Sequence, residues 1–141
     1  MGRDLARWEG MKSFVIGLLL GLIFILLVHS VEPMPARQMI ALFLAFTACV
    51  YVGALLAQQV PFPVAVAEIA LAAIVYALAV VGLRASTTSL AAGYALHGIW
   101  DLAHHPRAVP TRVASWFPPL CAAFDFVVAL ALLIGPWRPL A

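Results

Sequence analysis

Apolar residues run in five long blocks, Ser13–Val28, Met39–Ala57, Phe62–Leu83, Ser89–His105 and Phe117–Gly135, separated by short polar or proline-bearing segments. A helix needs about 20 apolar residues to cross hydrocarbon, with roughly 17–25 tolerated, so each block predicts one transmembrane helix. Pro33 and Pro35 follow the first block, Pro61 and Pro63 divide the second from the third, and Pro106 closes the fourth. Each is a natural break, because proline cannot continue a helix interior. Ser86, Thr87, Thr88 and Ser89 offer N-cap oxygens to the fourth helix. The fourth block is short and holds His97, Asp101, His104 and His105, which leaves open four crossings plus an interfacial helix. The predicted architecture is an all-α bundle, one transmembrane domain covering residues 1–141.

Composition agrees with this pattern. Of 141 residues 65% are hydrophobic and 10% charged, and the mean hydropathy is +1.07. That excess is too large for a small soluble globule, which typically has about 45–50% apolar and roughly 25% charged residues. A net charge of +2 supplies no basic face for nucleic acid. Cys49 and Cys121 both lie in apolar blocks, which excludes a disulfide-rich scaffold. The segment Arg3–Lys12 before an apolar run resembles a signal peptide, with Ser30 a poor cleavage position, and is read as a retained first helix. With the N-terminus inside, cytoplasmic segments hold Arg3, Arg7, Lys12, Arg107 and Arg112, against Arg37, Arg84 and Arg138 outside. The positive-inside bias therefore predicts an inner (cytoplasmic) membrane protein with its N-terminus in the cytoplasm. Trp8, Trp116 and Trp137 fall near block ends, where aromatic rings anchor at headgroups. Gly17 and Gly21 form a G-x-x-x-G, a surface for close helix packing within the chain or for a homo-oligomer seam.

The informative residues are polar ones inside apolar blocks. Glu68, Asp101 and Asp125 lie within them, while the eight Lys and Arg lie outside or at their ends. The histidines available inside are His97, with His104 and His105 at one end. A charge near the bilayer centre costs on the order of 3 kcal/mol. Three acids without basic partners must be protonated, solvated, or neutralised by a bound cation. At about 1.5 Å per residue, Glu68, Asp125 and His97 fall roughly 10–12 Å deep from the cytoplasmic side, with Asp101 about half that, so residues of three helices share one layer. On the fourth helix His97, Asp101 and His104 fall within about 60° of arc, with Tyr94 on the same face and His105 at its edge. Gly93 and Gly98 leave room for a neighbouring helix, and Cys121 lies one turn from Asp125. Mixed imidazole and carboxylate donors suit zinc, iron or manganese better than magnesium or calcium.

The stretch His97-Gly-Ile-Trp-Asp101-Leu-Ala-His104-His105-Pro, with Phe117-Pro-Pro-Leu-Cys121-Ala-Ala-Phe-Asp125, resembles the signature of a family of short bacterial integral membrane proteins of unknown function. That resemblance implies no activity. Asp101-Leu-Ala-His104-His105 is also similar to one histidine box of membrane fatty-acid hydroxylases and desaturases, which carry several such boxes where this chain has four histidines in all. His97-x-x-x-Asp101 is similar to the zinc-site pattern of cation-diffusion transporters, which need matching ligands on a second helix; Asp125 or Glu68 would supply them.

The reading these residues support is a membrane-embedded, zinc-dependent hydrolase acting on a lipid or amphiphile. His97, Asp101 and His104 hold the ion with Asp125 as fourth ligand, and Glu68 activates a metal-bound water. His105, Cys121 and Tyr94 are further candidates around the ion. Arg107 and Arg112 would hold an anionic headgroup, and the loop Pro106–Pro119 would act as a lid. Rival readings are iron-dependent oxidation of an apolar substrate, a divalent-cation or proton carrier, and an accessory subunit docked through the G-x-x-x-G helix.

Overall fold

The computed structural model describes residues 2–105 and 108–135, arranged as five helices without strands among them. They are α1 Gly2–His29, α2 Pro33–Leu56, α3 Phe62–Arg84, α4 Thr87–His104 and α5 Phe117–Ile134. The helix starts differ from the apolar blocks in an instructive way. The backbone of α1 already winds from Gly2, so the polar start and the apolar block are one helix. Pro33 and Pro35 do not space α1 from α2; they begin α2, six residues before its apolar block. Proline fits there because first-turn N–H groups have no partner within the helix. The same logic places Pro63 at the start of α3 and Pro118 and Pro119 at the start of α5. Ser86 is the N-cap residue of α4, yet no side chain there makes a cap hydrogen bond. At the other end of α4 the His105 N–H bonds the carbonyls of Asp101 and Leu102, both at 3.2 Å. Pro106, expected to stop α4, lies outside the described residues, as do Arg107, Trp137 and Arg138.

Helix neighbours run in a ring, α1 to α5 to α4 to α3 to α2 and back to α1, and α2 also touches α4 across it. Glycines set the closest approaches. A Cβ on Gly17 would strike the Leu120 carbonyl of α5, and one on Gly21 would come 2.9 Å from Cβ of Val127. The G-x-x-x-G face is thus filled by α5 of the same chain, not left as a free seam. Gly82 abuts Leu90, Gly93 abuts Leu44, and Gly98 lies against Asp125 and Phe126, so both glycines of α4 do admit neighbouring helices. The core between them holds Val28, Ile40, Leu44, Val75, Leu90, Tyr94, Phe124 and Val128.

Four helices, α2, α3, α5 and the Gly10–His29 part of α1, are long and apolar enough to cross a membrane, consistent with an integral membrane protein. Their outward side chains, among them Leu26, Leu42, Phe46, Ile69, Leu130 and Ile134, are exposed, as hydrocarbon-facing residues should be. The fourth helix lacks that composition because its polar residues point inward: Tyr94, His97, Asp101 and His104 are all buried. It pairs with α3 from Gly82–Leu90 at one end to Glu68–His104 at the other. Antiparallel pairing over roughly 14 residues, about 21 Å, lays α4 along much of the length of α3.

Candidate metal centre

Asp125, one turn after Cys121 on α5, faces the middle of α4 through the gap that Gly98 leaves. There His97 Nδ1 lies 2.7 Å from Asp125 Oδ2 and 3.4 Å from Asp101 Oδ2. The first is a hydrogen bond, the second an ion-pair separation only. Cys121 Sγ sits 4.0 Å from the same Asp125 oxygen. One potential ligand atom from each of His97, Asp101, Cys121 and Asp125 lies within 4.8 Å of every other, and all four residues are buried. The i, i+4 spacing on each of two helices produces this group, since residues four apart share a helix face.

Partners are incomplete. His97 Nε2, Asp101 Oδ2 and Asp125 Oδ1 are buried and have no hydrogen-bond partner. Buried polar atoms are nearly always satisfied, so three orphans on three adjoining residues call for a water or an ion between them. The charge balance agrees. Two carboxylates face one imidazole, and even a protonated ring would leave one negative charge in a low-dielectric interior.

A second cluster adjoins the first. Glu68 Oε1 bonds His104 Nε2 at 2.9 Å, and Trp100 Nε1–H donates to Glu68 Oε2 at 2.8 Å. The His104 ring is oriented from behind by a 2.9 Å contact of its Nδ1 with the Trp100 carbonyl. Tyr51 of α2 joins the two clusters. Its O–H donates to Asp101 Oδ1 at 2.5 Å, and its ring stacks on His104 with centroids 3.9 Å apart.

The structure therefore brings His97, Asp101, Asp125 and Cys121 together and directs His104 elsewhere, to Glu68. His104 shares a helix face with His97 and Asp101, but one further turn moves its ring beyond the four-residue group and onto Glu68 of α3. Tyr94 is also drawn away, donating from its hydroxyl to the Ile40 carbonyl at 2.9 Å. His105 is exposed and lies near Gly10 of α1. Arg112 is exposed, and its backbone is gripped by Gln58: Gln58 Nε2 donates to the Arg112 carbonyl at 2.7 Å, and Arg112 N–H donates to Gln58 Oε1 at 2.8 Å. The expected lid thus has a tether from the α2–α3 turn. Sequence reasoning missed Tyr51 and gave no role to Trp100. A signal existed for Tyr51, which lies six residues before Ala57 much as Glu68 lies seven after Pro61, and so shares the polar layer.

Fold and site together define a bundle of membrane-spanning type with a buried His/Asp/Cys group that could hold a metal ion. The chain belongs to a family of unknown function (DUF6010), which matches residues 12–137 and so covers all but the first turns of α1. No curated protein and no solved structure matches it.

Proposed function

We propose that this chain is a membrane-embedded metalloprotein that holds one divalent transition metal, zinc by preference, and hydrolyses a lipid or amphiphile. The observation that carries this reading is the group of four buried ligand atoms from two helices with three orphaned polar atoms among them. Two carboxylates neutralise a divalent ion, and an imidazole and a thiol add borderline-soft donors that suit zinc better than magnesium or calcium. Cys121 makes the longest of these contacts. His97, Asp101 and Asp125 would hold the ion with Cys121 as a further donor, and a bound zinc would supply Lewis-acid polarisation and lower the pKa of water towards 7. Glu68, positioned by His104 and Trp100 and linked through Tyr51, would serve as the base that takes a proton from the attacking water. The water oxygen would bond to the acyl carbon, and the proton held on Glu68 would pass to the alkoxide leaving group as its bond to that carbon breaks. The loop 108–116 is the entrance for an amphiphile, with the exposed Trp116 at headgroup level and Arg112 against the headgroup. A carrier is less well supported, because Leu44, Val75, Leu90 and Val128, all fully buried, close the bundle beyond the polar layer.

The test is elemental analysis of the purified chain beside His97→Ala and Asp101→Ala, with hydrolysis of short-chain ester and phosphodiester amphiphiles. About one zinc per chain is expected in the natural protein, falling at least tenfold in both variants, with hydrolysis lost on chelation and restored by zinc. Metal content unchanged in both variants would overturn the assignment.

A further inference from the structure

At the far end of the bundle, where α1 ends and α2 and α4 begin, a cavity of about 630 Å³ opens between Val28, His29, Glu32, Arg37, Ile40 and Thr87. Loop-charge counting places Arg37 in an outer loop, but its side chain is only 8% exposed and lines this cavity. A guanidinium offers five N–H donors and cannot shed its charge. Here one bond is made, to the Gly82 carbonyl at the end of α3, and it is long at 3.4 Å. Among the described residues no carboxylate lies within 4 Å of Arg37; Glu32 lines the same cavity without pairing to it. A buried, unpaired cation is as unfavourable as the buried acids at the other end, and here the missing partner is an anion.

The start of α4 favours the same sign. Thr87 is the first residue of α4, and no side-chain cap covers that helix start. Helix N-termini present free N–H groups and a positive dipole end to such a cavity. Val28, Ile40 and Leu90 supply apolar wall beside the polar end.

We propose that this cavity binds the phosphate or carboxylate group of an amphiphile, gripped in two-pronged fashion by Arg37 with Thr87 as a second donor. Planar guanidinium matches an oxyanion through paired hydrogen bonds, and the apolar wall takes the adjoining chain. This site is separate from the metal centre, since about ten residues of α4, roughly 15 Å, divide Thr87 from His97. Its failure would leave the metal reading untouched.

The test titrates the full chain, in neutral detergent micelles, with short-chain phosphatidic acid, with phosphatidylcholine of the same chain length, and with inorganic phosphate. Binding is read by equilibrium partition and by thermal stabilisation. Phosphatidic acid is expected to bind saturably and at least tenfold more tightly than phosphatidylcholine. Arg37→Gln should weaken it at least tenfold and Thr87→Val several-fold, with metal content unchanged in both. Inorganic phosphate binding as tightly as phosphatidic acid would support the oxyanion site and assign it to the free ion. Equal binding of the two lipids with none of phosphate, or Arg37→Gln behaving as the natural protein, would overturn the proposal. If Arg37→Gln does not fold, Arg37→Lys carries the test, because it keeps the charge and loses the fork: at least threefold weaker binding supports the proposal and unchanged binding overturns it.

Discussion

Asp101 holds more of the site together than any other side chain. One oxygen takes the Tyr51 hydroxyl, and the other faces His97 without a hydrogen bond of its own. Asp101→Asn keeps the shape but replaces a charged oxygen by an amide, so metal content should fall at least tenfold while helicity by circular dichroism is retained. Tyr51→Phe is a gentler change. It leaves the aromatic stack on His104 and removes one hydrogen bond to a carboxylate, costing about 1.5–3 kcal/mol if nothing replaces it. The expected result is a lower thermal midpoint in the metal-free protein and a smaller decrease with metal bound. His97 Nδ1 and Asp125 Oδ2 lie 2.7 Å apart with one proton shared between them, and an ion entering that gap must displace it. Metal binding should therefore release protons and weaken as pH falls, which pH-stat titration with zinc would measure. At this scale the sequence was legible within a helix and opaque between helices. His97 and Asp101 follow from i, i+4 spacing alone. That His104 turns to Glu68 depends on how α3 is rotated, and no spacing within α4 encodes it.

Among the elements, α1 and α5 are matched by two glycines against the Leu120–Val127 backbone. Gly17→Leu puts a side chain into the Leu120 carbonyl, where only backbone movement can make room. Overpacking of this kind costs about 1–3 kcal/mol, so the thermal midpoint in detergent should drop by several degrees, whereas Gly53→Ala, with open space around it, should be close to neutral. The small-residue face was readable from G-x-x-x-G; its partner was not, because the motif says how closely a neighbour comes and not which neighbour it is. The prolines were misplaced for a related reason. Pro33 and Pro35 read as breaks in a linear scan, but the first turn of a helix tolerates what its interior does not.

For the molecule as a whole, the loop 108–116 before α5 is anchored by Gln58 from the α2–α3 turn. Gln58→Ala removes two hydrogen bonds to that loop, about 1 kcal/mol each. Hydrogen exchange of 108–116 should then rise about tenfold or more with the helices unchanged; exchange equal to the natural protein would mean the tether is not what holds the loop. The five-helix bundle was legible because hydrocarbon demands long apolar blocks, and that demand shows in one dimension. Ring order and the turn-to-loop clasp were not, since they depend on contacts between distant segments.

The inward polarity of α4 also bears on how the chain enters a bilayer. A segment carrying two histidines and an aspartate over its last two turns is a poor stop for a translocon by itself. Only Ala85 and Ser86 separate it from α3, whose apolar surface is ample. The two should therefore partition as one hairpin, with α3 drawing its polar neighbour into lipid. In a glycosylation-mapping host protein, α4 alone is expected to slip through and α3–α4 together to lodge.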